Sequence, residues 1–383
     1  MSLKYLTAGE SHGPALCGII DGIPAGVEIE PQDFDLLMKK RWAGYGRGGR
    51  RKIETDRVEV LSGIVNGKTI ASPISLLIKN QDYQPHKSPM APFAEANERL
   101  AVKVPLPGHA DFPGLMRHRF DDCRLVRERA SARETAMRTA LSLPARNLLQ
   151  ALDVRFFCLV ESIGGIDAKV DYLQNIEEMA QAVAESSDLF LTPDHKVCDR
   201  WREIIDKAQT LGNSLGGTAA VVFWNLPIGL GGYSQADQRL DARLAEKIMS
   251  IPGVKSVECG FAAALSRQAG SFVDSLKYDQ ERGFYHGSNN AAGIEGGMTN
   301  GEPLIMRFHM KPLPGGGDAD SVNLATLLPQ RPEPYRSDTQ ALQAAAVVAE
   351  SIVALELADQ ILRLTGGADL ETVHERFVRL NRF

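Results

Sequence analysis

The stretch Gly13-Pro-Ala-Leu-Cys-Gly-Ile-Ile-Asp-Gly-Ile-Pro-Ala-Gly26 is answered far downstream by Gly216-Gly-Thr-Ala-Ala-Val-Val-Phe-Trp-Asn-Leu-Pro-Ile-Gly229. Both run through small and apolar residues and close on Pro-x-Gly, the pattern of a buried strand entering a turn. Each is followed by a helical pattern, at 33–42 and 238–250, and then by a strand ending near Ser62-Gly63 or Cys259-Gly260. The expectation is an α+β fold made of two strand–turn–helix–strand halves, about 1–150 and 200–383, sharing one core in a single domain over 1–383.

Pro31 precedes the 33–42 helix, and 58–65 and 73–79 read as strands around Gly63 and the Asn66-Gly67 turn. Residues 80–108 are Pro-rich, lack a clear period and read as a long loop over the surface or active site. From Ser131 to Leu152 the pattern is helical, with small or apolar residues at 132, 136, 140, 144 and 148 on one face, and Pro144 is expected to kink or divide it.

Composition narrows the function classes. No apolar run approaches the roughly 20 residues that cross a bilayer, and the N-terminus lacks a signal-peptide core. The cysteines (Cys17, Cys123, Cys158, Cys198, Cys259) are scattered, odd in number and never in CxxC spacing. That fits reduced thiols in a cytoplasm and offers no metal site. A net charge of −5 gives no overall drive toward nucleic acid or an anionic membrane.

Locally the charge is different. Residues 39–52 hold seven cations and no acid, and residues 117–138 hold seven arginines against four acids. Arginine forks bind carboxylate and phosphate in pairs, and interspersed glycines let backbone close around a small anion. Two such clusters in an acidic chain point to a pocket for a compact polyanion. A solvated basic loop beside an amphipathic helix is the plainer alternative, and nucleic acid ranks behind both because only Trp42 and Tyr45 interleave the cations. Gly44-Tyr-Gly-Arg-Gly-Gly49 matches G-x-G-x-x-G, but with no strand before it and no helix after it, it is no dinucleotide turn.

Gly9-Glu-Ser-His-Gly13 matches the G-x-S-x-G elbow of α/β-hydrolases, yet only eight residues precede it and a strand follows it. The weight falls instead on His12, an imidazole among small residues, as a proton-transfer candidate. An ordinary turn that happens to contain histidine is the alternative. Two further glycine-rich stretches, 286–301 and 310–318, either border a ligand or are turns.

Taken in order, Gly9-Glu-Ser-His-Gly13, Arg47-Gly-Gly-Arg50 with Lys52-Ile-Glu54, Pro107-Gly-His-Ala-Asp111, Glu128-Arg-Ala-Ser-Ala-Arg-Glu-Thr135, Asn289-Asn290, Glu295-Gly-Gly-Met-Thr-Asn-Gly301, Lys311-Pro312 and Arg336-Ser-Asp338 closely resemble chorismate synthase over nearly the whole chain. The resemblance implies a β-α-β sandwich and a homotetramer. It also implies conversion of 5-enolpyruvylshikimate 3-phosphate to chorismate by 1,4-elimination of phosphate, with reduced FMN required and NADPH as a possible reductant. By that resemblance His12 is the acid near the departing phosphate, His109 helps protonate the reduced flavin, and Asp338 assists removal of the C6 proton. Ser11, Arg41, Arg47, Arg50, Arg129, Arg133 and Arg336 would bind substrate. The flavin would be touched by Arg41, Arg47, Ser131, Ala132, Arg133, Pro252, Gly253, Gly293, Ile294, Glu295, Gly296, Lys311, Pro312, Leu313, Pro314, Gly315 and Arg336. Departures from the family pattern stand at Leu106, Ala130, Pro252-Gly253, Pro314-Gly-Gly-Gly317, Gln340 and Gln343, several of them in flavin-contacting segments.

Overall fold

Two antiparallel sheets face each other across a layer of helices in the computed structural model. It describes residues 2–48, 55–86, 91–93, 98–172, 175–186, 189–270, 273–281, 283–315, 319–333 and 338–380. The first sheet holds β1 (Lys4–Ala8), β2 (Ala15–Asp21), β3 (Val58–Ser62) and β4 (Ile74–Lys79) in the order β1-β2-β4-β3. The second holds β5 (Arg155–Ile163), β6 (Ile166–Asp167), β7 (Gly217–Trp224), β8 (Val254–Cys259) and β9 (Leu304–Met310) in the order β6-β5-β7-β9-β8. With the short β6 set aside, β1-β2-β4-β3 and β5-β7-β9-β8 are the same arrangement.

The helices follow the same rule. α1 (Pro31–Trp42) links β2 to β3, and α4 (Thr135–Ala151) follows β4 after α2 (Asp111–His118) and α3 (Arg124–Ala130). α5 (Ile176–Glu185) and α6 (Cys198–Thr210) lie between β5 and β7, α7 (Leu240–Met249) links β7 to β8, α8 (Leu342–Thr365) follows β9, and α9 (Leu370–Leu380) ends the described chain. α4 packs on β2 and β4, α8 packs on β5 and β7, and the two helices pack on each other. That position explains why α8 is buried around almost its whole circumference, from Leu342 to Leu362. Gly18 is needed where β2 crosses α4, because a Cβ there would lie 2.7 Å from both Met137 and Leu141 side chains. No described helix is long and apolar enough to cross a membrane.

The turns repeat in detail. Gly26 and Gly229 have φ of 89° and 91°, and Gly22 and Asn225 four residues earlier are also left-handed. Thr69, buried, donates its hydroxyl to Pro24 O, accepts from Val27 N and offers its own carbonyl to Gly26 N. Thr299, also buried, does the same with Pro227 O, Leu230 N and Gly229 N. Each threonine ends a two-residue hairpin, Ile64–Val65 with Lys68–Thr69 and Ile294–Glu295 with Met298–Thr299. We read the halves as copies of one unit, the second carrying an insertion over 260–292.

One expectation is corrected. Pro144 lies inside α4 but does not divide it, since the helix runs unbroken from Thr135 to Ala151. The proline is buried in the helix layer, where tertiary packing outweighs the local cost of a missing N–H. The 80–108 segment is also less irregular than expected, with 3-10 turns at Gln81–His86 and Glu98–Leu100.

Candidate active site

His12 sits in the β1–β2 turn, whose shape depends on Gly9 (φ 106°), where a Cβ would fall 2.3 Å from Ala15 O. Asn80, just after β4, pins the turn by donating from Nδ2 to Glu10 O (3.0 Å) and Gly13 O (2.7 Å). α3 closes over the other side. Glu128 O accepts from Ser11 N at 2.9 Å, and the Glu128 carboxylate accepts from His12 N at 2.8 Å and meets His12 Nδ1 at 2.9 and 3.0 Å. His12 Nε2 lies 3.7 Å from Asp82 Oδ2. A carboxylate on Nδ1 keeps the proton there and leaves Nε2 as the nitrogen that exchanges.

His109 repeats this device. Its Nδ1 meets Asp111 Oδ1 at 2.6 Å, while Asp111 Oδ2 accepts from Leu106 N (2.9 Å) and from Arg127 Nε and Nη2 (3.0 and 2.5 Å). Asp111 is fully buried, and burial alone would raise its pKa. The bonds from His109, Arg127 and the Leu106 amide outweigh that and hold it below the ordinary carboxylate value. Leu106, a departure from the family pattern, therefore keeps a backbone role while its side chain is buried.

Three of the arginines gather at the end of α1. Arg41 is buried and donates to Thr135 Oγ1 (2.9 Å), Ala132 O (3.2 Å) and Asp56 Oδ2 (3.5 Å). Arg133 bonds Asp56 Oδ1 and reaches Asn80 Oδ1 through Nε and Nη2 at 3.0 and 2.9 Å. Asp56 itself has φ 47°, an uncommon conformation that Asp tolerates and that recurs at functional sites. Arg47 pairs with Asp338 Oδ2 at 2.9 Å, and Asp338 Oδ1 accepts from Gly48 N at 2.6 Å. The Arg41 pKa falls to about 10, first through burial, then, after the opposing pull of Asp56, through the charges of Arg133 and Arg47. An anion arriving here would relieve that unfavourable field.

The remaining candidates divide. Ser131 caps the turn before α4, accepting from Arg133 N, and its hydroxyl donates to Ser11 Oγ at 3.2 Å, so Ser11, Ser131 and the adjoining Ala132 line one edge of the site. Lys311 Nζ donates to Gly108 O at 2.7 Å, drawing the loop from Lys311 to Gly315 against the His109 turn. Gly253 joins that loop through its carbonyl, which accepts from Lys311 N at 3.0 Å, and Pro252 precedes it in the turn before β8. Arg129 is exposed and spends its guanidinium on Thr7 O, Thr7 Oγ1 and Gly9 O, bracing β1 instead of facing the arginine group. Gly293, Ile294, Glu295 and Gly296 belong to the hairpin that duplicates residues 63–66. A Cβ on Gly293 would lie 2.7 Å from Leu304 Cα, just as one on Gly63 would lie 2.7 Å from Ile74 Cα, so turn geometry by itself accounts for Gly293, whereas Gly296 stands where the other hairpin has Asn66. Arg50 and Arg336 lie outside the described residues.

Sequence reasoning missed the carboxylates that hold the histidines, Glu128 and Asp111, and the linkers Asp56, Asn80 and Thr135. Asp111 ends the Pro107–Asp111 stretch and Glu128 begins Glu128–Thr135, but only the fold shows which histidine each one meets. Gln340, one departure from the family pattern, donates to Tyr45 O in the loop that carries Arg47, and Gln343, another, donates to Leu189 O, which also accepts from Tyr45 N.

Carboxylate-held histidines beside buried arginines, on a two-sheet sandwich, define an acid–base enzyme for an anionic small molecule. The chorismate synthase family model matches residues 3–362. Proteins named chorismate synthase from Trichlorobacter lovleyi and Geobacter sulfurreducens are 44% and 43% identical, covering 97% and 98% of this chain and 96% and 97% of theirs. One from Enterococcus faecalis is 40% identical over 98% of both chains. A solved structure described as a crystal structure of chorismate synthase aligns with a TM-score of 0.81 and 32% identity, over 100% of this chain and 99% of that one. The chain belongs to the chorismate synthase family.

Proposed function

We propose that His12, His109 and Asp338, with the buried arginines, carry out the family's reaction, a 1,4-elimination of phosphate from 5-enolpyruvylshikimate 3-phosphate that gives chorismate. The enzyme is a carbon–oxygen lyase acting on phosphate. Neither a non-catalytic paralogue nor a nucleic-acid-binding protein is favoured, because the named relatives match nearly end to end. The observation that carries the residue roles is the paired device at the histidines, each with Nδ1 on a carboxylate.

In this reading Arg41, Arg47 and Arg133 bind the substrate's phosphate and carboxylates, joined by Ser11, Arg50 and Arg336, while Arg129 braces β1. His12 delivers a proton from Nε2 to the departing phosphate, and Glu128 stabilises the imidazolium before transfer. Asp338, oriented by Arg47 and Gly48 N, assists departure of the C6 proton. His109, held by Asp111, would keep an exchangeable proton at Nε2 for the flavin site.

The donor set suits FMN. Arg41 Nε is buried with no hydrogen-bond partner among the described residues, and its lowered pKa marks a place for an anionic oxygen. Ser131, Ala132, Pro252, Gly253, Lys311, Pro312, Leu313, Pro314 and Gly315, with Gly293, Ile294, Glu295 and Gly296, would hold the cofactor. Reduced FMN, when bound, supplies electron density to a reaction with no net redox change. We further propose a cytoplasmic homotetramer with NADPH as one source of electrons, and the unpaired thiols among the described cysteines suit a reducing compartment.

The test is anaerobic phosphate release with dithionite-reduced FMN. Turnover by the wild type, lost in both His12→Ala and His109→Ala, is the expected result. Undiminished turnover in either variant overturns that residue's role. Light scattering that shows a monomer overturns the tetramer.

A further inference from the structure

The two histidines come from different loops, yet their carboxylate partners are organised by neighbouring residues of one helix. On α3, Arg127 grips Asp111, which holds His109, and Glu128 holds His12. We propose that α3 is the positioning element for both proton-transfer groups, with Arg127 and Glu128 setting which ring nitrogen of each histidine exchanges protons. The catalytic part of this proposal rests on the acid roles given above to His12 and His109, whereas the tautomer part stands on geometry alone.

The geometry is specific. Glu128 Oε2 accepts from His12 N at 2.8 Å and lies 2.9 Å from Nδ1, while Oε1 lies 3.0 Å from Nδ1. The backbone N–H has no alternative proton arrangement, so it demands an oxygen at Oε2. A carboxylate satisfies that demand and also accepts from Nδ1–H. In Glu128→Gln the amide oxygen takes the Oε2 place and the NH2 group occupies the Oε1 place, where it donates to a bare Nδ1. That NH2 group opposes a proton on Nδ1 and favours Nε2–H in the neutral ring, against the amide oxygen that stays 2.9 Å from Nδ1. Asp111 is built the same way. Its Oδ2 is claimed by Leu106 N and Arg127, so in Asp111→Asn the NH2 group faces His109 Nδ1 and reverses that ring. Neither side chain has room to turn away, since Glu128 and Asp111 are both buried.

Shared placement on α3 also fixes the two rings relative to each other. Arg127 Nε and Nη2 both converge on Asp111 Oδ2, at 3.0 and 2.5 Å, a rigid fork that a lysine cannot copy. Arg127→Lys therefore loosens His109 while leaving His12 in place.

The experiment is long-range 15N–1H correlation on the ligand-free full chain labelled with 15N-histidine, with His12 and His109 assigned by their own substitutions. Above the titration of the rings, the wild type is expected to show both as Nδ1–H tautomers. Glu128→Gln should reverse His12 alone and Asp111→Asn should reverse His109 alone, the unaffected histidine in each sample reporting that the fold is intact. In the anaerobic assay, kcat should fall about 100-fold in each variant, within the range that one proton-transfer group supplies. KM for substrate should change by less than about threefold, because neither carboxylate belongs to the arginine group that binds anions. An Nε2–H tautomer for His12 or His109 in the wild type, or an unchanged tautomer in its variant, overturns the positioning role of α3. Reversed tautomers with undiminished kcat keep the positioning role and overturn instead the acid roles on which its catalytic consequence rests.

Discussion

The two halves share a scaffold but not its connections. In the first half the β1–β2 link is the short turn 9–14 that carries His12, and the α1–β3 link, 43–57, carries Arg47 and Asp56. Their counterparts reverse the investment, for β5 to β7 spans 164–216 with two helices, and α7 to β8 is the tight 250–253 turn. Only the strand-to-helix links, 80–134 and 311–341, are long in both halves, and these two meet. Lys311 reaches Gly108 O, Ser321 Oγ donates to Pro105 O at 2.7 Å, and Leu324 N donates to Lys103 O at 3.0 Å. The shared scaffold supplies the frame, and His109 lies where the matching long loops of the two halves cross.

Histidine substitution is the strongest way to break this contrast. His12→Ala and His109→Ala should each lower anaerobic kcat by about 10²–10⁴. His309→Asn, on β9 of the second half and paired with Glu258 and Thr218, should leave kcat within about twofold. An equal loss at His309 would erase the division of labour between the halves.

Next comes the helix layer that both halves share. Glu350 on α8 is fully buried and pairs with Arg146 at 2.8 Å and Lys40 at 3.5 Å. Burial would raise its pKa, but the charges of Lys40 and Arg146 bring it below the ordinary value. Glu350→Gln leaves Arg146 and the partly exposed Lys40 without their buried carboxylate and should cost about 2–4 kcal/mol in urea unfolding. A cost below about 1 kcal/mol would show that the layer relaxes around them.

Arg41→Gln should raise KM for the phosphate substrate about 10–100-fold, the worth of a charge-assisted bond. Arg155→Gln, on the exposed second-half pair with Asp153, should not change it. Threonine replacement measures the duplication itself. Thr69→Val and Thr299→Val remove the same hydroxyl bonds and should each cost about 1–3 kcal/mol, equal to within roughly 0.5 kcal/mol. A large inequality would mean that one copy no longer relies on its turn.

The smallest effect concerns pH. Asp111 has a folded-state pKa below its unfolded value, so its stabilisation is complete above the ordinary carboxylate pKa of 3.8 and is lost as pH falls through the lower folded value. Protection of the 106–111 turn against hydrogen exchange, referred to the intrinsic rate at each pH, should therefore fall below about pH 4. Asp111→Asn should remove that pH dependence, and a turn that loosens equally in both proteins would assign it to another group.

By itself the sequence determined the scaffold, because strands, Pro-x-Gly turns and helix patterns are local in period and the duplicated stretches carry them twice. It also determined the family and the candidate chemistry, since residue types such as His12, His109 and the arginines are legible wherever the chain folds. Only the tertiary structure decided the partners. Glu128 and His12 are joined across 116 residues, and Arg47 meets Asp338 across most of the chain. No periodicity encodes such a pairing. The same applies to Pro144, whose local helix-breaking tendency was overruled by burial between two sheets, and to Gly293, which answers Gly63 in the matching turn of the other half. Local rules govern what each segment can become, and long-range packing selects which side chains then share a proton or a charge.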